Sequence, residues 1–199
     1  MTVIEIRPTA AAATQRQRWG HYFTLVYGVL GIVIGLGLQN SALTATTLYS
    51  NPQAGIRAEY PQNWLLDSDG DYVFRVRDMA QLGFKTTIQI SVLPVTLNTT
   101  ARNLLDTLIL NRSQTLSEFS VLSRASITIQ DDQPATQMRY TFAFSEEDPF
   151  LESQPTIVQG VDILTLQGGQ ALVITFLADQ ATYARDFPYF EQFIRALDV

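Results

Sequence analysis

The sequence predicts an α+β chain, with one transmembrane helix at the N-terminus followed by a mostly antiparallel sheet covered by helices. Three observations carry this. No Asp, Glu, Lys or Arg occurs between Arg18 and Arg57, a gap of 38 residues. Beyond it, apolar and polar residues alternate at period two in segment after segment. Two stretches switch to the helical period, one around Leu105 and one at the C-terminus.

The uncharged gap comes first. Tyr22 to Leu43 is interrupted only by Thr24, Gln39, Asn40 and Ser41, and a helix of ~20 apolar residues crosses a bilayer. Residues 1–21 carry Arg7, Arg16 and Arg18 against Glu5, a balance of +2 that leaves −8 of the total of −6 for the remainder. Arginines beside an apolar span mark the cytoplasmic side. The expected organisation is therefore a cytoplasmic tail 1–21, a transmembrane helix 22–43, a polar linker 44–53 and an extracytoplasmic domain 54–199. Trp19, Tyr22 and Phe23 stand where an interfacial aromatic belt belongs. A basic start and an apolar run also describe a cleaved signal. The run is longer than a signal core, and Ser41-Ala-Leu-Thr-Ala45 is a poor A-x-A site, so a retained anchor is the expectation. Gly31 and Gly35 form a GxxxG with Gly28 on nearly the same face, the pattern that lets a second helix approach. Glycine is also simply common in membrane helices.

The outer domain begins with a strand at Ile56–Tyr60. Tyr72, Phe74 and Val76 alternate with Val73, Arg75 and Arg77, and Ile88, Ile90 and Val92 with Thr87, Gln89 and Ser91. Ala101, Leu104, Leu105, Leu108 and Ile109 share a helical face, with Thr99 or Thr100 as N-cap. Strands follow at Val121–Ile129 and around Met138, Tyr140, Phe142 and Phe144. Val158–Leu166 and Ala171–Leu177 flank Gly168-Gly169, a two-residue hairpin signal. Asp179 is expected to cap a short turn, Gln180–Ala184. The last helix carries Phe190, Phe193, Ile194 and Leu197 on one face, with Asp186 as its cap and Pro188 in its first turn.

Composition excludes much chemistry. The chain has no cysteine, hence no disulfide, thiol nucleophile or thiolate metal site. Its one histidine, His21, lies at the predicted membrane edge, so the outer domain lacks Ser-His-Asp catalysis and His-ligated zinc or haem. Lys85 is the one lysine. Asp67, Asp69, Asp71 and Asp78 imitate a calcium loop, but Gly70 falls at position four where the loop needs glycine at six. An acidic turn is the expectation there, with no metal. Arg57, Arg75 and Arg77 read as a solvated strand face with local ion pairs. Glu146, Glu147 and Asp148 form the most charged exposed stretch, a solvated loop or a dock for a basic partner. The acidic balance disfavours nucleic acid, and no Gly-rich phosphate loop is present.

Several segments together resemble the PsbP-like family, the extrinsic photosystem II proteins and their bacterial relatives. They are Gly55-Ile-Arg-Ala-Glu-Tyr-Pro-Gln-Asn-Trp64, Phe119-Ser-Val-Leu-Ser123 and Gln133-Pro-Ala-Thr-Gln-Met-Arg-Tyr140. Thr175-Phe-Leu-Ala-Asp179, Tyr183 and Phe187-Pro-Tyr-Phe-Glu-Gln-Phe-Ile-Arg195 complete the set. The resemblance implies an α/β/α sandwich with a central, mostly antiparallel sheet. It also implies an extrinsic, non-catalytic role in a membrane complex, without a cofactor. Two departures stand out. This chain carries its own membrane helix, and its outer domain lacks the histidines to which some relatives' metal roles are ascribed.

Three functions follow for comparison. The first is a single-pass accessory subunit that assembles or stabilises a photosynthetic or respiratory electron-transfer complex. Its partners would be integral membrane subunits, and its domain would lie on the extracytoplasmic face (the lumen side in a thylakoid). The second is a tethered or secreted ligand-binding module. The third, an enzyme, fits least, because the usual nucleophile–base pairs are absent.

Overall fold

The structure, a computed structural model, describes residues 10–43, 45–67, 69–96, 99–129, 132–145 and 154–198. The chain divides into two units, Met1–Ala45 and Thr46–Val199.

Among its described residues the first unit has one helix, α1 (Ala10–Leu43). It begins ahead of the predicted span because Ala10–Ala13 and the Gln and Arg residues that follow are strong helix formers. Its most apolar stretch, Arg18–Gln39, has 22 residues and a mean hydropathy of 1.8, with every residue exposed. At 1.5 Å per residue this reaches about 33 Å, enough for a ~30 Å hydrocarbon core.

Among its described residues the second unit holds nine strands and two helices. The strands are β1 (Thr46–Asn51), β2 (Ile56–Pro61), β3 (Leu65–Asp67), β4 (Phe74–Arg77), β5 (Thr87–Pro94), β6 (Ser117–Ile129), β7 (Gln133–Phe144), β8 (Thr156–Gln167) and β9 (Gln170–Asp179). The helices are α2 (Ala101–Thr115) and α3 (Tyr183–Ala196). β1 and β2 form a separate antiparallel pair, and the main sheet runs β3-β4-β5-β9-β8-β7-β6. Every pairing in it is antiparallel.

The hydrophobic pattern explains this order. β8 and β9 lie at the centre, covered on both faces, and read as nearly unbroken apolar runs. Their hairpin turns at Gly168 and Gly169, with φ of +58° and +81°, which suits a turn requiring positive φ at both central residues. β6 lies at an edge, is mostly exposed, and carries two register shifts that interrupt its ladder. One face of the sheet packs under α3 with the β1–β2 pair, burying Ile56, Trp64, Phe74, Phe176, Phe190 and Phe193. The other packs under α2, burying Leu105, Met138, Tyr140, Phe142, Leu164 and Val173. On that face the Tyr140 ring lies across Gly160 of the neighbouring strand. A Cβ at residue 160 would come within 2.4 Å of it, so only glycine fits.

Three local expectations are corrected. The segment read as linker contains β1, because Tyr49 packs its ring on Phe74 and donates its hydroxyl to the Val73 carbonyl at 2.9 Å. The last helix starts at Tyr183, not after Asp186, and takes in Tyr183 and Ala184 of the short turn assigned to Asp179. Asp179 does cap a turn, accepting from the Ala181 amide at 2.8 Å, but that turn ends at Thr182. Asp186 therefore sits inside the first turn of α3, where it is buried. The N-cap of α2 is as expected: the Thr100 hydroxyl accepts from the Asn103 amide at 3.2 Å.

Candidate functional site

Among the described residues, α1 carries a long run of exposed apolar side chains, from Trp19 to Leu38. Gly28, Gly31 and Gly35 lie within it, and a Cβ at any of them would meet nothing within 4 Å.

Inside the folded unit, the most developed polar constellation was not anticipated. Arg112, in the last turn of α2, reaches over the sheet to Asp162 at the centre of β8. Nε donates to Oδ2 and Nη2 to Oδ1, both at 3.0 Å. The Thr175 hydroxyl donates to Oδ1 at 2.7 Å and accepts from Arg112 Nη2 at 3.2 Å. The Tyr140 hydroxyl adds a bond to Oδ1 at 3.3 Å. Asp162 is fully buried. Burial works against the Arg112 charge, but the Asp162 carboxylate outweighs it and the guanidinium holds its proton more tightly than usual. Burial, and then the Asp162 charge, pushes the Tyr140 phenol well above its ordinary 10.0. Both carboxylate oxygens are thus engaged, an arrangement that ties α2 to the sheet. Two sequence signals could have found it. Arg112 lies on the apolar face of α2, four residues after Leu108, and Asp162 is the one charge in Val158–Leu166.

A second polar centre ties α3 to the loop 78–86. Asp186 Oδ2 accepts from Gln81 Nε2 and from the Thr86 hydroxyl, each at 2.8 Å, while Oδ1 accepts from Arg185 Nε at 2.8 Å. Burial works to raise the Asp186 carboxyl. The bonds from Arg185, Gln81, Thr86 and Thr182 outweigh it and hold the group below its ordinary 3.8. The loop is further closed by Asp78 N–H donating to the Thr86 carbonyl at 2.9 Å and by a bond from Lys85 Nζ to the Gln81 carbonyl.

The aspartates of the calcium-like stretch serve separate local roles. Asp67 Oδ1 accepts from the Asp69 amide at 3.1 Å and Oδ2 pairs with Arg77 at 3.2 Å. The Asp69 amide first, and then the Tyr72 hydroxyl, hold the Asp67 carboxyl below its ordinary 3.8. Asp78 accepts from Ala80 N–H and Gln81 instead. Of the arginines, Arg75 donates to Gln89 at 2.9 Å and lies over the Tyr72 ring, whereas Arg57 bridges to Asp198 through its backbone. Glu146, Glu147 and Asp148 lie outside the described residues.

Two of the concavities among the described residues border these helices. One, about 190 Å³, lies beside Arg112 and is lined by Gln89, Ser91, Asn111, Thr115 and Thr175. The other, about 320 Å³, lies along α3, with a floor of Ile163, Phe187, Phe190 and Ile194 and a rim of Gln137, Glu191 and Arg195.

No protein-family model and no curated protein matches the sequence. Solved structures do. The chain is similar to cyanobacterial PsbP (CyanoP) from Synechocystis, at 14% identity and a TM-score of 0.57, over 78% of this chain and 92% of that one. It is also similar to LpqN, involved in cell envelope biogenesis of Mycobacterium tuberculosis, at 12% identity and a TM-score of 0.50, over 77% and 90%. The chain has the PsbP-like fold: an α+β sandwich with a mostly antiparallel sheet, preceded by an apolar N-terminal helix.

Proposed function

We propose that the chain is a single-pass, non-catalytic accessory subunit that helps assemble or stabilise a membrane-embedded electron-transfer complex, photosynthetic or respiratory. The observation that carries this is α1. Its 22-residue apolar stretch is exposed at every position and has three glycines with open space before them. An apolar helix can be covered by lipid alone, but close approach at Gly28, Gly31 and Gly35 suits a partner helix. The PsbP-like fold and the cyanobacterial PsbP likeness support placing that partner in such a complex. The polar groups of the folded unit hold its own elements together, as in a docking domain. The arginines before the span support an N-in topology, with the folded unit on the extracytoplasmic face.

The test is purification of the full chain in mild detergent with identification of co-purifying membrane subunits. Wild type should bring a complex with it, and Gly31→Ile with Gly35→Ile should lose the complex while still inserting. Survival of the association, or a wild-type protein that runs alone, counts against the reading. A tethered ligand-binding module is the second reading. The α3 groove favours it, since its volume reaches the lower end of the ~300–1,000 Å³ common for small-molecule sites. That module would run alone in the same experiment.

A further inference from the structure

Eight large apolar side chains of the folded unit are exposed among the described residues, and five of them, Leu65, Leu66, Met79, Leu82 and Ile157, lie at one end of the sheet. Register places them there. Arg77 closes β4 opposite Leu65 and Thr87, Thr87 faces Leu177 near the end of β9, and Val158 at the start of β8 faces Asp179. The loop 78–86 projects from this end. Leu82 at its tip is 96% exposed.

That loop is built rather than slack. Its base is closed by the Asp186 bonds to Gln81 and Thr86, and Phe84 turns inward against Phe142 and Phe144. Leu82 and Met79 are held outward by a frame that needs little further ordering to make contact.

The chain also enters the folded unit at this end. Thr46 pairs with Pro61, the Trp64 amide donates to the Pro61 carbonyl at 3.0 Å, and Leu65 follows directly. Between α1 and β1 stand only Thr44 and Ala45. Four helical residues beyond Gln39 and three extended steps span at most about 16 Å. With α1 across a bilayer, Thr46 stays within that reach of the hydrocarbon, and the headgroup layer itself occupies about 5–8 Å of it.

We propose that this end of the folded unit rests on the lipid surface, with Met79 and Leu82 dipping among the headgroups and upper acyl chains. The short tether selects lipid as the occupant, because lipid is the surface the chain cannot leave. Apolar side chains and not charge make the contact: residues after the tail carry −8 of net charge, and Glu146, Glu147 and Asp148 fall in the connection from β7 to β8 at this same end, which gives anionic lipid no attraction. The inference rests on the anchor reading above.

The absence of cysteine makes the test clean. Full-length chain bearing Leu82→Cys, or Gln170→Cys at the far end of the sheet, is labelled with an environment-sensitive dye. Each is reconstituted into phosphatidylcholine vesicles with or without headgroup-spin-labelled phosphatidylcholine. The dye at residue 82 should shift to the blue and be quenched by the spin label, unchanged in high salt, whereas the dye at residue 170 should show neither effect. Equal signals at the two positions, in protein that stays with the vesicles through an alkaline wash, overturn the proposal. So does shielding of residue 82 in native membranes but not in lipid vesicles, which would identify a protein as the occupant. Release of the protein by the wash sinks the anchor reading, and this inference with it.

Discussion

The two faces of the central sheet hold their helices by different means. Under α3 the contact is aromatic and buried at its centre: Phe74 stacks on Phe193 at 5.5 Å and Phe176 on Phe190 at 5.1 Å. The one buried charge of that helix, Asp186, stands at its first turn and faces a loop. Under α2 the charge stands in the middle, where Arg112 grips Asp162 in two parallel bonds. Apolar stacking rewards area and tolerates small shifts. A bidentate pair has one good geometry, so it specifies a position along the sheet that shape alone leaves free. The α3 face supplies cohesion, and the α2 face supplies register.

The largest expected effect tests cohesion. Phe193 is fully buried, and Phe193→Ala should cost about 3–5 kcal/mol. Thermal unfolding of the detergent-solubilised chain, followed through buried Trp64, should move down by about 2–4 °C for each kcal/mol. An unchanged midpoint would mean that α3 does not pack as described. A somewhat smaller effect tests register. Arg112→Met leaves a buried carboxylate without its cation, a loss of about 3–5 kcal/mol in general. The low end is expected here, because the arginine side chain is 21% exposed. Adding Asp162→Leu should recover most of that loss but not all, since the Tyr140 and Thr175 hydroxyls lose their acceptor. If the double variant is no more stable than the single, the cost lies in packing rather than in the stranded charge.

The asymmetry between faces was only half legible in the sequence. The aromatic side was plain, because Phe190, Phe193, Ile194 and Leu197 recur at helical spacing and β8 and β9 read as apolar runs. The ion pair was not, because Arg112 and Asp162 stand 50 residues apart and only the fold brings them together. β1 was missed because its two apolar residues, Leu48 and Tyr49, are adjacent, and the other half-buried positions, Thr47 and Asn51, are polar. Asp186 was read as a cap because it precedes Pro188, whereas its partners, Gln81 and Thr86, lie about a hundred residues earlier in the chain. Local chemistry was readable; contacts of high separation were not. The apolar N-terminal helix needed no tertiary information at all, since its length and lack of charge are local facts.

The smallest expected effect concerns the charge at the edge of the α3 face. The Asp186 carboxyl is held below its ordinary 3.8 in the folded chain, so near and below that value the unfolded chain binds the proton more readily than the folded one. Its contribution is therefore complete above the unfolded pKa and is lost as the pH falls through the lower, folded value. Asp186→Asn keeps the shape and one acceptor but removes the charge that Arg185, Gln81 and Thr86 address. It should cost about 1–2 kcal/mol at neutral pH, and the gap from wild type should close as the pH falls below about 4. Urea unfolding at a series of pH values measures this directly. A gap independent of pH would show that Asp186 acts through packing, and the contrast between a charged edge and an apolar centre would then be geometric rather than electrostatic.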